Sequence, residues 1–184
     1  MANVLSSAQD KIRALLEILP NDEEEKMHSL FFCGQGKGPN GKRDIVNIAT
    51  VLREKGWDPS RITYEENRIE RPKIIKNFRD GITDSMLAIK VLDEGIDIPE
   101  IKNAFIIASS INRRQFIQRR GRVLRKLDGI DKIAKIWDLV VIPPNKSSDA
   151  GQKLIENEKK RIEQMSSKAL NIEESIEFMQ KQFN

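Results

Sequence analysis

The sequence predicts an α/β domain, a parallel sheet covered on both faces by helices, opened by one helix and followed by a helical extension. Three observations carry this. Short apolar runs alternate with amphipathic stretches along most of the chain, the arrangement of a parallel sheet with crossover helices. The runs "SLFFC", "AFIIAS" and "IWDLVVI" are almost continuously apolar, as strands are when both faces are covered. Beyond Pro143-Pro144 and the polar stretch Asn145-Lys146-Ser147-Ser148, the pattern changes to charged helices with a single apolar stripe. A chain of 184 residues suffices for one well-buried core and a tail. The expected organisation is an N-terminal helix or linker over 1–26, the sheet domain over 27–144 and the helical extension over 145–184.

Each element has its own reason. Ser7 can cap the opening helix, Asp10 follows three residues on, and Ile12, Leu15, Leu16 and Leu19 recur at helical spacing before Pro20 and the acidic run Asp22–Glu25 end it. Strands are expected at Ser29–Cys33, Arg61–Tyr64, Ser85–Val91, Asn103–Ser109 and Ile133–Ile142. Helices are expected at Arg43–Lys55, Ile69–Arg79 and Arg113–Arg125. In the extension Leu154, Ile155, Ile162, Met165 and Ala169 form one stripe, and Asn171 caps a last helix carrying Ile172, Ile176 and Met179. Ligands of such a sheet gather at the carboxyl ends of its strands.

Composition excludes several classes. The only cysteine, Cys33, rules out an intramolecular disulfide, and with His28 the only histidine no Cys/His cluster has metal-ligand spacing. A reducing compartment is the expectation. No apolar run reaches the roughly 20 residues that cross a bilayer, and no basic-then-apolar leader opens the chain. The protein is therefore expected to be cytoplasmic, with no membrane partner. A net charge of +4 and a pI near 9.2 permit a polyanionic partner without requiring one.

Two stretches suggest a nucleotide engine and do not complete one. Gly36-Lys37-Gly38-Pro39-Asn40-Gly41-Lys42-Arg43 has the glycine and lysine spacing of a phosphate-binding loop between a strand and a helix. The residue after the lysine is Arg43, however, where a hydroxyl should hold magnesium, and a guanidinium is no metal ligand. A solvated turn is the better reading. Val91-Leu92-Asp93-Glu94 runs into two carboxylates like a magnesium-holding acidic box, but Lys90 interrupts the apolar run, and Gly95-Ile96-Asp97-Ile98-Pro99 belongs to another motif.

That motif is specific. "AIKVLDEGIDIPEIKNAFIIASS" followed by "RRQFIQRRGRVLRK" resembles motifs V and VI of superfamily-two helicases. "SLFFC" resembles motif IV, and "RIERPKIIKNFRDG" the helix before motif V. The resemblance spans residues 27–141 and implies the second, C-terminal RecA-like domain of a nucleic-acid-dependent ATPase. "GRVLR" and "IIASS" are most similar to the XPB and restriction-helicase branch of DNA translocases. DEAD-box RNA helicases usually carry a second glycine-arginine pair, where Leu124 stands here.

The resemblance implies roles residue by residue. Arg122 and Arg125, three apart on one helix, are the candidate arginine fingers, because a guanidinium from a second domain stabilises charge on a transferring phosphoryl group. Gln118 resembles the motif VI glutamine that organises the phosphate and attacking water. Gly95 allows close backbone approach, Asp97 resembles the motif V acid near the ribose, and Glu94 supports that loop. Lys90 is the first candidate for a nucleic-acid phosphate contact, followed by Gly34, Gln35 and Arg71, with Arg113 and Arg114 at the start of the finger helix. Aromatic content of 5% disfavours a base-stacking platform. ATP with Mg2+ would be bound mainly by a first RecA-like domain, in the same or another chain, since nothing before Met27 supplies a GKT loop, DEAD-type box or linking threonine motif. Without it the chain is expected to be inactive. DNA is the expected nucleic acid, RNA the lesser alternative. Competing readings are a non-catalytic nucleic-acid or protein binding module on the same fold, and an autonomous NTPase using Gly36–Arg43.

Overall fold

The computed structural model describes residues 9–37, 41, 43–63, 65–66, 69–89, 101–108, 121 and 133–183. These fall into two compact units, one from residues up to 139 and one from 140 onward.

The first unit runs α1 (Gln9–Ile18), α2 (Glu23–Lys26), β1 (Ser29–Phe32), α3 (Asp44–Glu54), β2 (Pro59–Ile62), α4 (Glu70–Arg79), β3 (Ser85–Ala88), β4 (Asn103–Ile106) and β5 (Lys135–Asp138). The strands form one sheet in the order β2-β3-β1-β4-β5, and every pairing is parallel. This is the parallel α/β sheet that the alternation predicts, in the RecA-like form that the resemblance implies. The acidic run after Pro20 forms α2, because the Asp22 carboxylate accepts the N–H groups of Glu24 and Glu25 and caps it.

Both faces of the central strands are buried, which is why β1 and β4 read as unbroken apolar runs. On one face Phe31, Leu87 and Phe105 pack with Leu15 of α1 and Ile45, Ile48 and Leu52 of α3. Phe31 stacks on Phe105 at 4.6 Å between centroids and meets Trp57 edge-on at 5.7 Å. On the other face Leu30, Met86 and Ala104 are fully buried. The opening helix is thus part of this core, with Leu15 fully enclosed.

Two strands depart from expectation. β2 begins at Pro59 rather than Arg61, as an edge strand whose missing proline N–H costs no ladder bond. β5, read as covered on both faces, lies at the opposite edge with only exposed or half-buried residues. Trp137 is 38% exposed while its ring lies parallel to Phe105 at 6.3 Å.

The amino edge of the sheet is sealed by polar residues in register. Ser29 pairs with Ser85 on one side and Asn103 on the other. Asn103 donates to the Glu25 carbonyl at 2.6 Å and to Ser29 Oγ at 3.2 Å, while Asp84 accepts from Ser85 Oγ at 2.6 Å and from the Asp58 N–H at 2.7 Å. These bonds satisfy Ser29, Asp84 and Asn103 at the amino ends of the strands, whereas ligands of a parallel α/β sheet gather at the carboxyl ends.

The second unit is a helical hairpin, as expected of the extension: α5 (Asp149–Ser166) and α6 (Ile172–Phe183). Ser148 caps α5 through the Gly151 N–H, and Asn145 Oδ1 accepts from the N–H groups of Ser147 and Ser148. Lys146 donates to the Gln182 carbonyl at 2.7 Å, tying the start of the hairpin to its end. A buried ion pair, Arg161 to Glu158 at 2.6 Å, lies within α5, and Glu158 also accepts the Val141 N–H at 3.1 Å.

Candidate functional site

Phe32, Ala88 and Ile106 lie in one row across β1, β3 and β4, so the chain leaves three adjacent strands at one edge. Neighbouring strands are about 4.8 Å apart, which puts the exits of β3 and β4 on either side of β1 within about 10 Å of each other. Hydrogen bonds hold these exits: Cys33 N–H to the Ala88 carbonyl at 2.9 Å, and Ile107 and Ala108 N–H to the Phe32 carbonyl at 3.1 Å each. Gly34, half-buried, and Gln35, exposed, sit on this edge immediately after β1.

The segment after Gln35 folds back on itself. Lys37 and Arg43 form an antiparallel bridge, the Asp44 N–H donates to the Gly36 carbonyl at 3.0 Å, and Gly41 takes φ +72, a conformation glycine adopts freely. A phosphate cradle needs free N–H groups at the helix start and no competing anion. Here Asp44, the first residue of α3, places a buried carboxylate there, and its N–H is already used. The described residues therefore do not fit a magnesium-nucleotide loop. Among them, no group of three His, Cys, Asp or Glu side chains is placed to hold a metal.

Charges on this edge are arranged across loops. Arg43 donates to Glu65, in the turn after β2, at 2.7 Å, and that hydrogen bond holds the Glu65 carboxyl below its ordinary range. Burial pushes the Asp44 carboxyl up, and its Oδ2 has no hydrogen-bond partner among the described residues. Arg71 at the start of α4 donates to the Thr63 carbonyl at 3.2 Å, while Glu66 accepts from the Thr63 hydroxyl at 2.9 Å. Arg71 thus fastens the turn between β2 and α4.

Gly34, Gln35 and Arg71 are thereby located, the first two at the edge and Arg71 committed in part to its own backbone. Lys90, Glu94, Gly95, Asp97, Arg113, Arg114, Gln118, Arg122 and Arg125 lie outside the described residues. What the structure fixes are the anchors from which they depart: Ile89, buried just past β3, and Ile107 and Ala108, buried just past β4. Sequence reasoning missed Lys11 of α1. The residue is 5% exposed, and its ammonium donates to the Ile107 carbonyl at 2.6 Å, across 96 residues of sequence.

Residues 10–126 match the family described as the helicase conserved C-terminal domain, and the chain belongs to that family. It is 32% identical over 126 residues to DNA 3'-5' translocase XPB2 of Sulfurisphaera tokodaii, a match covering 68% of this chain and 26% of the relative. It is 33% identical over 93 residues to UvrABC system protein B of Psychromonas ingrahamii, covering 48% of this chain and 14% of that protein. The chain thus spans about a quarter or less of these relatives. Among solved structures, the C-terminal part of the Fun30 ATPase domain superposes with a TM-score of 0.60 at 18% identity, covering 94% of this chain and 53% of that one. The C-terminal domain of the DEAD-box protein Dbp5 gives 0.60 at 19%, covering 84% and 79%. These likenesses show the shared fold.

Proposed function

We propose that this chain is the second RecA-like domain of an ATP-dependent DNA translocase or helicase, acting in the cytoplasm with a first RecA-like domain from the same or another chain. The observation that supports this most is the row Phe32, Ala88 and Ile106. It brings the starts of the segments carrying motifs V and VI to one edge, beside Gly34 and Gln35. In this reading Arg122 and Arg125 reach across the interdomain cleft and stabilise negative charge on the transferring phosphoryl group of ATP, and Gln118 orients the attacking water. Gly95, Asp97 and Glu94 shape the nucleotide side. Lys90, Gly34, Gln35, Arg71, Arg113 and Arg114 track the sugar-phosphate backbone, which needs positioned charge and no base code. DNA is favoured because a relative matched over 68% of this chain is named a DNA translocase. Magnesium and the phosphate cradle come from the first domain, since the described residues do not fit them.

The test is reconstitution. The isolated chain should show no DNA-stimulated ATP hydrolysis and no measurable binding of a fluorescent ATP analogue with magnesium, and both should appear when a first RecA-like domain is supplied. Turnover near about 1 per second by the chain alone, the low end for phosphoryl-transfer enzymes, and its loss on Lys42→Ala would overturn the reading in favour of an autonomous NTPase.

A further inference from the structure

The ladder between β4 and β5 ends one residue before the exit. Ile106 gives its carbonyl to the Leu139 N–H at 3.1 Å, β5 having ended at Asp138. Ile107, only 2% exposed, presents the next carbonyl, and a buried carbonyl requires a donor. A neutral hydroxyl or amide would serve. The donor is instead the Lys11 ammonium at 2.6 Å, a charge that must be taken out of water to reach this point. It comes from α1, whose Leu15 is fully enclosed in the core, so the lysine stem is held at its base by packing and at its tip by the hydrogen bond. Ile107 and Ala108 also both donate to the Phe32 carbonyl at 3.1 Å. The last described residues before the motif VI segment are thereby fixed from two sides, by β1 and by α1.

We propose that Lys11 is a positioning residue for the arginine fingers: by holding the Ile107 carbonyl it sets where the segment carrying Gln118, Arg122 and Arg125 starts. The inference rests on the functional reading above. A charge-assisted bond is shorter and more strongly directed than a neutral one, and catalytic groups tolerate little displacement: a shift near 1 Å far from the chemistry can cost about a hundredfold in rate.

The experiment measures DNA-stimulated ATP turnover of the chain supplied with its first RecA-like domain, in Lys11→Met, Lys11→Arg, Leu15→Ala and Arg122→Ala, each assayed below its own melting temperature. Lys11→Met keeps the apolar stem and removes the donor. It should lower kcat by about tenfold or more with KM for ATP within about twofold, the pattern of a missing transition-state interaction. Lys11→Arg should recover most of the rate. Leu15→Ala keeps the Lys11 donor and serves as the stability control: it should lower the melting temperature while leaving kcat within about twofold where the protein is folded. Should Lys11→Met not fold, Lys11→Leu, which also lacks a donor, takes its place with the same thresholds. If Arg122→Ala slows turnover while the Lys11 variant stays within about twofold of the parent, or falls no further than Leu15→Ala, the positioning role is wrong. If Arg122→Ala itself has no effect, the functional reading fails first.

Discussion

Arg43 and Asp44 are adjacent in sequence, yet the Arg43 guanidinium pairs with Glu65 at 2.7 Å while Oδ2 of Asp44 is buried without a hydrogen-bond partner among the described residues. The carboxylate begins α3, where the helix dipole favours negative charge by about 0.3–1 kcal/mol. Burial outweighs this, since the Asp44 carboxyl is pushed above its ordinary 3.8.

A carboxyl raised in this way contributes its stability fully below its unfolded pKa, and loses that contribution as pH rises through the folded value. At neutral pH ionised Asp44 is therefore a net cost. Asp44→Asn should raise the melting temperature at pH 7.5, and the gain should shrink toward pH 4. Thermal melts across that range check it, and a lower melting temperature for the variant at pH 7.5 would contradict it.

Phe31 is fully buried between Phe105 and Trp57. Phe31→Ala should cost about 3–5 kcal/mol, a large share of a typical 5–15 kcal/mol stability. Phe178, 44% exposed on α6, is the control: its alanine variant should stay within about 0.5 kcal/mol. Urea unfolding of the two variants decides this, and equal losses would mean the core is not where the packing puts it.

Gly151 is in the first turn of α5, where alanine would ordinarily favour a helix by about 1 kcal/mol. Its Cβ, however, would come within 2.0 Å of the Asn145 carbonyl oxygen, too close without moving the turn that Asn145 and Ser148 build. Gly151→Ala should destabilise by about 1–3 kcal/mol, as overpacking does. Circular dichroism melts showing a more stable variant would refute this close approach.

How far the fold was legible follows from what surrounds each strand. β1 and β4 are buried on both faces, so burial writes itself into composition as unbroken apolar runs. β2 is an edge strand of Pro, Ser, Arg and Ile; its register is set by β3, which a local pattern cannot report. β5 reads as apolar as a central strand, yet nothing local marks it as an edge. The positions of Gly34 and Gln35 at the strand ends were readable because both directly follow a strong strand. Lys11 was not, because its partner Ile107 is 96 residues away and a lysine in an amphipathic helix carries no sign of a buried role. The Arg43–Glu65 pair escaped for the same reason, joining loops 22 residues apart.

Arg113 and Arg114 are expected to act on DNA rather than on chemistry. Replacing both with alanine in the reconstituted enzyme should weaken DNA binding and reduce its salt dependence by up to about two units of slope, close to one for each phosphate no longer neutralised. Turnover at saturating DNA should stay within about twofold. Titrations at several salt concentrations read this out, and an unchanged slope with a lower kcat would move these arginines into the catalytic set.

The central claim, that motif VI of this chain completes an ATPase site, is tested most directly by DNA-stimulated ATP hydrolysis of the reconstituted enzyme with Arg122→Ala. Finger interactions strengthen as charge develops on the phosphoryl group, so turnover should fall by about a thousandfold, near 4 kcal/mol, while ATP affinity changes little. Arg125→Ala should cost a smaller share. If both variants kept the parent's rate within about twofold, a difference of only about 0.4 kcal/mol, these arginines would not be fingers, and a binding module on a helicase fold would be the better description.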